Sequence, residues 1–272
     1  MSVVIKEKTA YLSNEDSPDI RNPIHSTEVA MQFGFAGALV GGVTVYGWAA
    51  ETVIETLGEE WLDSGWVEMN FKRPVYPAEQ LKIKIGEDDG GGLGRTMTVE
   101  GNDGSIRIDG RVGLGTAPWF SELATPYSLS PSVPVTPHSQ PLTLKTAPVG
   151  QSLIPVAMEM DVDSVREYAS GKQRSTDPRF IGDKPRLHPA MIAGFETMMI
   201  YGQFEFSPGI HVFSRVQHLQ RADAAPGYVA VGKFIEAFER KGRHHGIVDG
   251  SLVRNGSEFA RSRQGLIFSI EK

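Results

Sequence analysis

Apolar side chains between residues 43 and 57 recur at the three-to-four-residue spacing of a helix. They are Val43, Tyr46, Ala50, Val53, Ile54 and Leu57, whereas Thr44, Glu51 and Glu55 take other positions. This one-sided stripe predicts an amphipathic helix that ends at Gly58. Apolar and polar residues then alternate over residues 67–72, 81–85, 95–100 and 106–109, with turn residues at 88–94 and 102–104. A period of two predicts an antiparallel meander.

The same order of elements occurs a second time. Residues 190–194 are similar to 38–42, and apolar residues continue to about residue 204. Strand patterns then follow at 212–219, 228–238, 246–253 and 259–268. Eight prolines fall between residues 116 and 155, where they exclude a helix or a central strand. The sequence therefore predicts a first half (1–115), a Pro-rich linker (116–155) and a second half (156–272).

Composition excludes several classes of protein. The 272 residues are 40% hydrophobic and carry a net charge of -6, so neither disorder nor nucleic-acid binding is expected. The absence of cysteine excludes thiolate nucleophiles, disulfides and Cys-based metal sites. The first residues lack the apolar core of a secretory signal, and the longest apolar stretch, 36–50, is shorter than the roughly twenty residues of a bilayer span. We expect a cytoplasmic protein with no membrane partner.

One string in the first half carries a recognisable motif. Asn22-Pro23-Ile24-His25 is followed by Ala30, then by the pair Gly34-Phe35, and finally by Gly42 at the start of the predicted helix. This spacing resembles the MaoC-like, R-specific enoyl-CoA hydratase (hydratase 2) family. The resemblance implies an α+β double hotdog, in which two antiparallel sheets, each wrapped on a central helix, join side by side.

The resemblance also implies a function and its partners. Members of this family add or remove water at the 2,3 position of an acyl thioester, and here the thioester is expected to be an acyl-CoA. The enzyme would be a hydratase or dehydratase (a lyase) with no metal and no cofactor beyond the CoA of its substrate. Because two copies in one chain satisfy the usual dimer contact, we expect a monomeric pseudo-dimer or a homodimer.

The motif also implies roles for particular residues. Asp19, Asn22 and His25 would form the catalytic group, with His25 as base or proton relay. Backbone N–H groups at Gly41 or Gly42 would bind the thioester oxygen at the positive end of the helix. His188 would line the same cleft from the second half, or only cap a helix.

The sequence departs from the family pattern at the expected acid, because Ile20 stands there and Asp19 is one residue further away. A bulge could bring Asp19 into place, Asp16 or Glu28 could substitute, or the acid could be lost.

Several alternatives stay open at this point. His25 could belong to an ordinary turn, and the glycines could serve close packing. The fold could catalyse another lyase, isomerase or hydrolase reaction on a non-thioester substrate, or bind acyl groups without chemistry. Tyr168 and Lys172 have the spacing of a dehydrogenase pair, but no nucleotide-binding glycine loop accompanies them. His244-His245 is interpreted as a solvated hairpin turn.

Overall fold

The computed structural model describes residues 3–13, 22–88, 94–134 and 139–270. The first half contains, in chain order, β1 (Val4–Thr9), α1 (Thr27–Gln32), α2 (Gly42–Leu57), α3 (Trp61–Ser64), β2 (Gly65–Phe71), β3 (Gln80–Asp88), β4 (Arg95–Gly101) and β5 (Ile106–Leu114). The predicted helix and all four predicted strands are present. The predicted turn at 88–94 lies largely outside the described residues.

The second half repeats these elements after the short strand β6 (Gln140–Pro141). It contains β7 (Val156–Ala157), α4 (Val162–Glu167), a π-helical turn (Tyr168–Lys172), α5 (Pro178–Ile181), α6 (Pro189–Tyr201), β8 (Phe204–Glu205), β9 (Ile210–His218), β10 (Val229–Glu239), β11 (Arg243–Arg254) and β12 (Ser257–Ile270). The four strands predicted here are β9 to β12. The predicted hairpin turn at His244-His245 is wrong, because both residues open β11; the reversal occurs at Lys241 and Gly242, whose φ angles are positive.

The main sheet is symmetric, because the second half arranges its strands in the same order as the first. Ten strands follow the order β1-β3-β4-β5-β2-β9-β12-β11-β10-β7, so each half supplies five. The two sets join through the antiparallel pair β2–β9, with Val67 opposite Val216. Equivalent turns before β5 and β12 both need a positive φ, and Gly104 (75°) and Gly256 (77°) provide it. This arrangement confirms two antiparallel sheets joined side by side.

Each half of the sheet wraps around one helix. The buried face of α2 includes Tyr46, Ala49 and Val53, none of which is exposed, and a single apolar core continues from α2 into the residues around α6. The two helices approach closely, since a Cβ placed on Gly194 of α6 would lie 3.5 Å from Val43 of α2. The halves therefore meet at the sheet and at the helices.

The Pro-rich segment binds along the sheet in its described part. Its regular structure there consists of a 3-10 turn at Phe120–Glu122 and the two-residue β6. Trp119 is buried against Trp66, with ring centroids 6.2 Å apart, and the Ala124 N–H donates to Asp249 at 2.7 Å. These contacts attach the segment to both halves.

None of the helices in the described ranges has the length and apolarity needed to cross a bilayer.

Candidate active site

A cavity of about 820 Å³ lies at the seam between the two halves. The first half contributes Asn22, His25 and residues 39–43 at the start of α2. The second half contributes one face of α6, the Tyr168–Lys172 turn and the beginning of β9. The structure thus places four of the predicted site residues, Asn22, His25, Gly41 and Gly42, around one cavity.

The Asn22-Pro23-Ile24-His25 motif forms a short 3-10 turn. Asn22 precedes it as the cap, with its side-chain oxygen facing the Ile24 N–H at 3.5 Å, and Pro23 takes the first helical position, where a missing N–H costs nothing. The Ile24 carbonyl accepts from the Leu39 N–H at 3.1 Å. This bond holds the turn against the segment that leads into α2.

The same contact region orients the His25 ring. Its Nδ1 lies 2.6 Å from the Leu39 carbonyl oxygen, which can only accept, so Nδ1 carries the proton. In the neutral ring Nε2 therefore has a free lone pair. Burial lowers the pKa of His25 and the nearby Lys172 charge lowers it further, although the Leu39 hydrogen bond opposes both effects. At neutral pH His25 is a base.

The N-terminus of α2 lies beside this base without a side-chain cap. Gly41 takes the cap position, and among the described residues no side chain accepts from the first N–H groups of the helix. A Cβ built on Gly41 would lie 3.6 Å from the Cε1 atom of His25, which shows how near the two are. Backbone N–H groups at this end of a helix attract negative charge.

Gly42 also serves close packing. A Cβ at this position would lie 2.6 Å from the Phe71 ring of β2, a separation that no real Cβ tolerates. Gly42 therefore both allows close packing against β2 and lines the cavity.

The second half contains a turn equivalent to the Asn22–His25 motif, but with different side chains. Asp177 and Pro178 begin α5 in the same way as Asn22 and Pro23 begin the 3-10 turn of the first half. The hydrogen bond from the Arg186 N–H to the Arg179 carbonyl, at 2.8 Å, is the counterpart of the bond from Leu39 to Ile24. This register puts Phe180 in the place of His25. Asn and Asp cap helices about equally well, so the capped turn is kept in the second half although its histidine is not.

His188 takes the place of Gly41 and does not line the cavity. Its ring is fully buried behind Phe180 and Tyr168, and its Nδ1 accepts from the Ala190 N–H at 3.2 Å. Burial lowers the pKa of His188 to about 3, although the Asp177 charge opposes this. The ring turns inward because it caps α6, so the predicted cleft-lining role gives way to the capping alternative.

Asp19, Ile20 and Asp16 lie outside the described residues, so the carboxylate partner of His25 stays a prediction. Among the described residues that line the cavity, Glu159 is the acidic one. Within those same ranges, no group of three or more His, Asp or Glu side chains is placed to hold a metal ion.

The sequence missed cavity residues of the second half. Lys172, Tyr168, Tyr201 and His211 all line the cavity. His211 lies on β9 with its ring 4.7 Å from that of Phe71, and burial lowers its pKa to about 4. The spacing of Tyr168 and Lys172 had suggested only a dehydrogenase pair, and no local pattern places any of the four at this site, because the folding of the second half onto the first brings them there.

Comparisons with known proteins give the class of fold. No family model matches the chain, and no curated protein matches it. Among solved structures, a conserved hypothetical protein from Mycobacterium tuberculosis with a double hotdog fold is similar over 98% of this chain and 96% of its own, with a TM-score of 0.61 and 11% identity. A MaoC-like dehydratase aligns over 91% of this chain and 90% of its own (TM-score 0.54, 16% identity).

A third structure, an oleoyl thioesterase from Lactobacillus plantarum, aligns over 99% of this chain and 98% of its own, with a TM-score of 0.53 and 10% identity. At these identities the likeness concerns the fold. The protein is a double hotdog protein, as the sequence predicted, and a MaoC-like dehydratase is among its structural neighbours.

Proposed function

We propose that this protein is an acyl-thioester enzyme that adds or removes water at the 2,3 position, with His25 as its base. One observation carries the proposal: the hydrogen bond from Nδ1 to the Leu39 carbonyl leaves Nε2 of His25 unprotonated, and among the described residues it has no hydrogen-bond partner beside the uncapped start of α2. A positioned base and a donor for the carbonyl oxygen are two of the elements that this reaction needs.

The reaction balances with these groups. Nε2 of His25 takes a proton from water, and the resulting hydroxide forms a bond to the β carbon. The electron pair of the double bond moves onto the thioester oxygen, which the N–H groups at Gly41 and Gly42 stabilise. Protonation of the α carbon by the imidazolium, or by the predicted acid Asp19, completes the addition. Dehydration runs these steps in reverse.

The cavity lining supports an anionic carrier on the substrate. Arg73 follows β2 and Arg243 opens β11, and the strand register places both at the same end of the sheet. Neither has a carboxylate partner among the described residues, although the protein as a whole carries a net charge of -6. Two such guanidinium groups suit the phosphates of CoA.

The test follows the ultraviolet absorbance of the conjugated thioester with a panel of 2-enoyl-CoA and 3-hydroxyacyl-CoA substrates. We expect turnover by the wild type and a loss of about 10²–10⁴-fold in kcat/KM in His25→Ala. His244→Ala, a histidine variant in β11 outside the cavity lining, is the control and should stay within about twofold. Turnover of none of the substrates, or full turnover by His25→Ala, would refute the proposal.

Hydrolysis of the thioester is the second candidate. The same base and N–H groups could direct water to the thioester carbon, and this chemistry needs no acid beside the α carbon, where the sequence has Ile20 at the family position. The neighbour from Lactobacillus plantarum is described as a thioesterase. Free thiol released in the same reactions, measured with a thiol reagent, distinguishes hydrolysis from hydration, and binding without either product would indicate a non-catalytic acyl-binding protein.

A further inference from the structure

The cavity extends along the sheet in both directions from the site. At one end lie Arg73 and Arg243, the residues proposed for the CoA phosphates. At the other end lies Gln264 of β12, which also lines the cavity. With CoA at the arginine end, the acyl chain of the substrate points towards Gln264.

The strand register gives the distance of Gln264 from the site. Phe71, whose ring packs against Gly42, continues the pairing of β2 with β9 and lies level with Val212. Gln264 pairs with Ser214, so it lies two residues further along the sheet and two strands away. At about 3.3 Å per residue and about 4.8 Å per strand, its separation from Phe71 is roughly 12 Å. Gln264 therefore lies beside the outer part of the acyl chain, well beyond the reacting carbons.

Gln264 is a buried amide with one polar neighbour. It is 1% exposed, and its Oε1 accepts at 3.0 Å from the hydroxyl of Thr197, which lies on the cavity-lining face of α6. The pair is enclosed between α6 and β12. Among the described residues, nothing accepts from the Nε2 amino group of Gln264. Because an unpaired amide in the interior is unfavourable, we expect a ligand to supply the missing acceptor.

The fold does not require this polar pair, because the first half is apolar at the equivalent positions. The pairing of β5 with β2 puts Leu114 in the place that Gln264 has in the pairing of β12 with β9. Ala50, the ninth residue of α2, is the counterpart of Thr197, the ninth residue of α6. The two polar side chains are therefore a feature of the cavity and not of hotdog packing.

The pair offers one donor and one acceptor to a ligand. Nε2 of Gln264 has hydrogens to donate, and the Thr197 oxygen, whose hydrogen is engaged with Gln264, keeps a lone pair that accepts. A hydroxyl group uses both, whereas a ketone uses only the donor and a methylene group uses neither. With the amide turned over, donor and acceptor would exchange places and a hydroxyl would still fit.

Building on the proposed function, we propose that Gln264 and Thr197 are specificity residues and that the acyl group of the substrate carries a hydroxyl in its outer part, beyond carbons 2 and 3. This hydroxyl accepts from Nε2 of Gln264 and donates to the Thr197 oxygen. A hydrocarbon chain would leave the amide unpaired, and a carboxylate would be buried beside neutral groups at a higher cost.

The first test compares 2-decenoyl-CoA with derivatives that carry one hydroxyl or one ketone at carbon 6, 7, 8 or 9. The wild type should prefer at least one hydroxylated thioester over 2-decenoyl-CoA by about tenfold or more in kcat/KM, and over the matching ketone by a smaller factor. Gln264→Leu, which introduces the first-half side chain, should abolish this preference, and Thr197→Val should reduce it. Equal use of all the thioesters by the wild type, or a preference that survives in Gln264→Leu, would overturn the inference.

Ser262→Ala is the matched control. Ser262 lies two positions before Gln264 on β12, and its hydroxyl donates to Glu196, outside the described lining of the cavity. The ratio of kcat/KM for the hydroxylated and the plain thioester should not change in this variant. A ratio that falls in Ser262→Ala as far as in Gln264→Leu would show that the preference depends on the packing of α6, and this result would overturn the assignment.

A binding measurement separates this inference from the proposed function. Calorimetry with the saturated analogues, decanoyl-CoA and the four hydroxydecanoyl-CoA isomers, needs no turnover. Tighter binding of one isomer that is lost in Gln264→Leu would support the inference even if no hydration occurs. If His25-dependent hydration occurs but all five analogues bind equally, the proposed function stands and the inference about Gln264 fails.

Discussion

The side-chain amide of Asn22 bonds both main-chain polar groups of Gly209: its Nδ2 donates to the carbonyl at 2.6 Å, and its Oδ1 accepts from the N–H at 3.4 Å. Asn22 begins the turn that carries His25, whereas Gly209 directly precedes β9 in the second half. The base is therefore held against the second half by the residue three positions before it.

Asn22→Ala should loosen this connection. We expect a loss of about 1–2 kcal/mol in the free energy of unfolding, from the cap and the lost bonds, and a lower kcat with an unchanged pH profile. Denaturant titration and steady-state kinetics measure the two effects. An altered pH profile would instead show that Asn22 acts on the proton transfer itself.

The pH dependence of activity should reflect the lowered pKa of His25. Because the neutral ring is the active form, the acid limb of kcat/KM should have its midpoint below pH 6.5, the ordinary pKa of a histidine. Lys172→Met removes one of the causes that lower this pKa, so its acid limb should move to higher pH. Rates between pH 5 and 8 check both points, and a wild-type midpoint above pH 6.5 would contradict the assignment of His25 as the base.

The two glycines before and within α2 should respond differently to an added methyl group. Gly42→Ala would place a Cβ 2.6 Å from the Phe71 ring, and we expect a loss of about 1–3 kcal/mol in unfolding free energy. In Gly41→Ala the nearest atoms would lie at 3.6 Å, an ordinary contact, so stability should hardly change. Phe71→Leu combined with Gly42→Ala should recover part of the loss. Equal destabilisation by both single variants would show that the Phe71 contact is not the cause.

Glu196 should make the stability of the protein depend on pH. It is fully buried on α6, its Oε1 accepts from the Ser262 hydroxyl, and burial raises its pKa from 4.5 to about 8. Between these values the folded state keeps a proton that the unfolded state has lost. The contribution of this carboxyl to stability is therefore fully present below pH 4.5 and is lost as the pH rises through 8.

Glu196→Gln removes this dependence. Its Tm should exceed that of the wild type by a few degrees at pH 9 and match it closely at pH 5, since about 1 kcal/mol corresponds to about 2–4 °C for a chain of this size. The exposed Glu205→Gln is the control and should show no such difference. A constant offset between wild type and Glu196→Gln across this range would mean that the carboxyl does not titrate as proposed.

Much of the fold was predictable because it is encoded locally. The helical spacing before Gly58 and the period of two in the strands are short-range patterns, and they predicted α2 and eight of the strands. The similarity of residues 190–194 to 38–42 predicted α6. The edge strand β1 was missed because Lys6, Glu7 and Lys8 give it a polar sequence, which suits a strand exposed at the edge of a sheet.

The site was only partly predictable for a different reason. Asn22 and His25 are neighbours in sequence, so a motif reveals them. Lys172 lines the same cavity as His25 although about 150 positions separate them in the sequence, and only the pairing of the two halves brings both to it. His188 was misjudged because a histidine before a helix has the same sequence signature whether it faces a cavity or caps the helix.

The junction between β2 and β9 has a consequence for stoichiometry. In a pair of identical subunits every substitution occurs twice, so a phenylalanine in the place of His25 would remove the base from both copies. Joining the copies in one polypeptide allows Phe180 to stand in one and His25 to remain in the other. Calorimetric titration should accordingly saturate at one thioester per chain, half the number that two intact copies would bind.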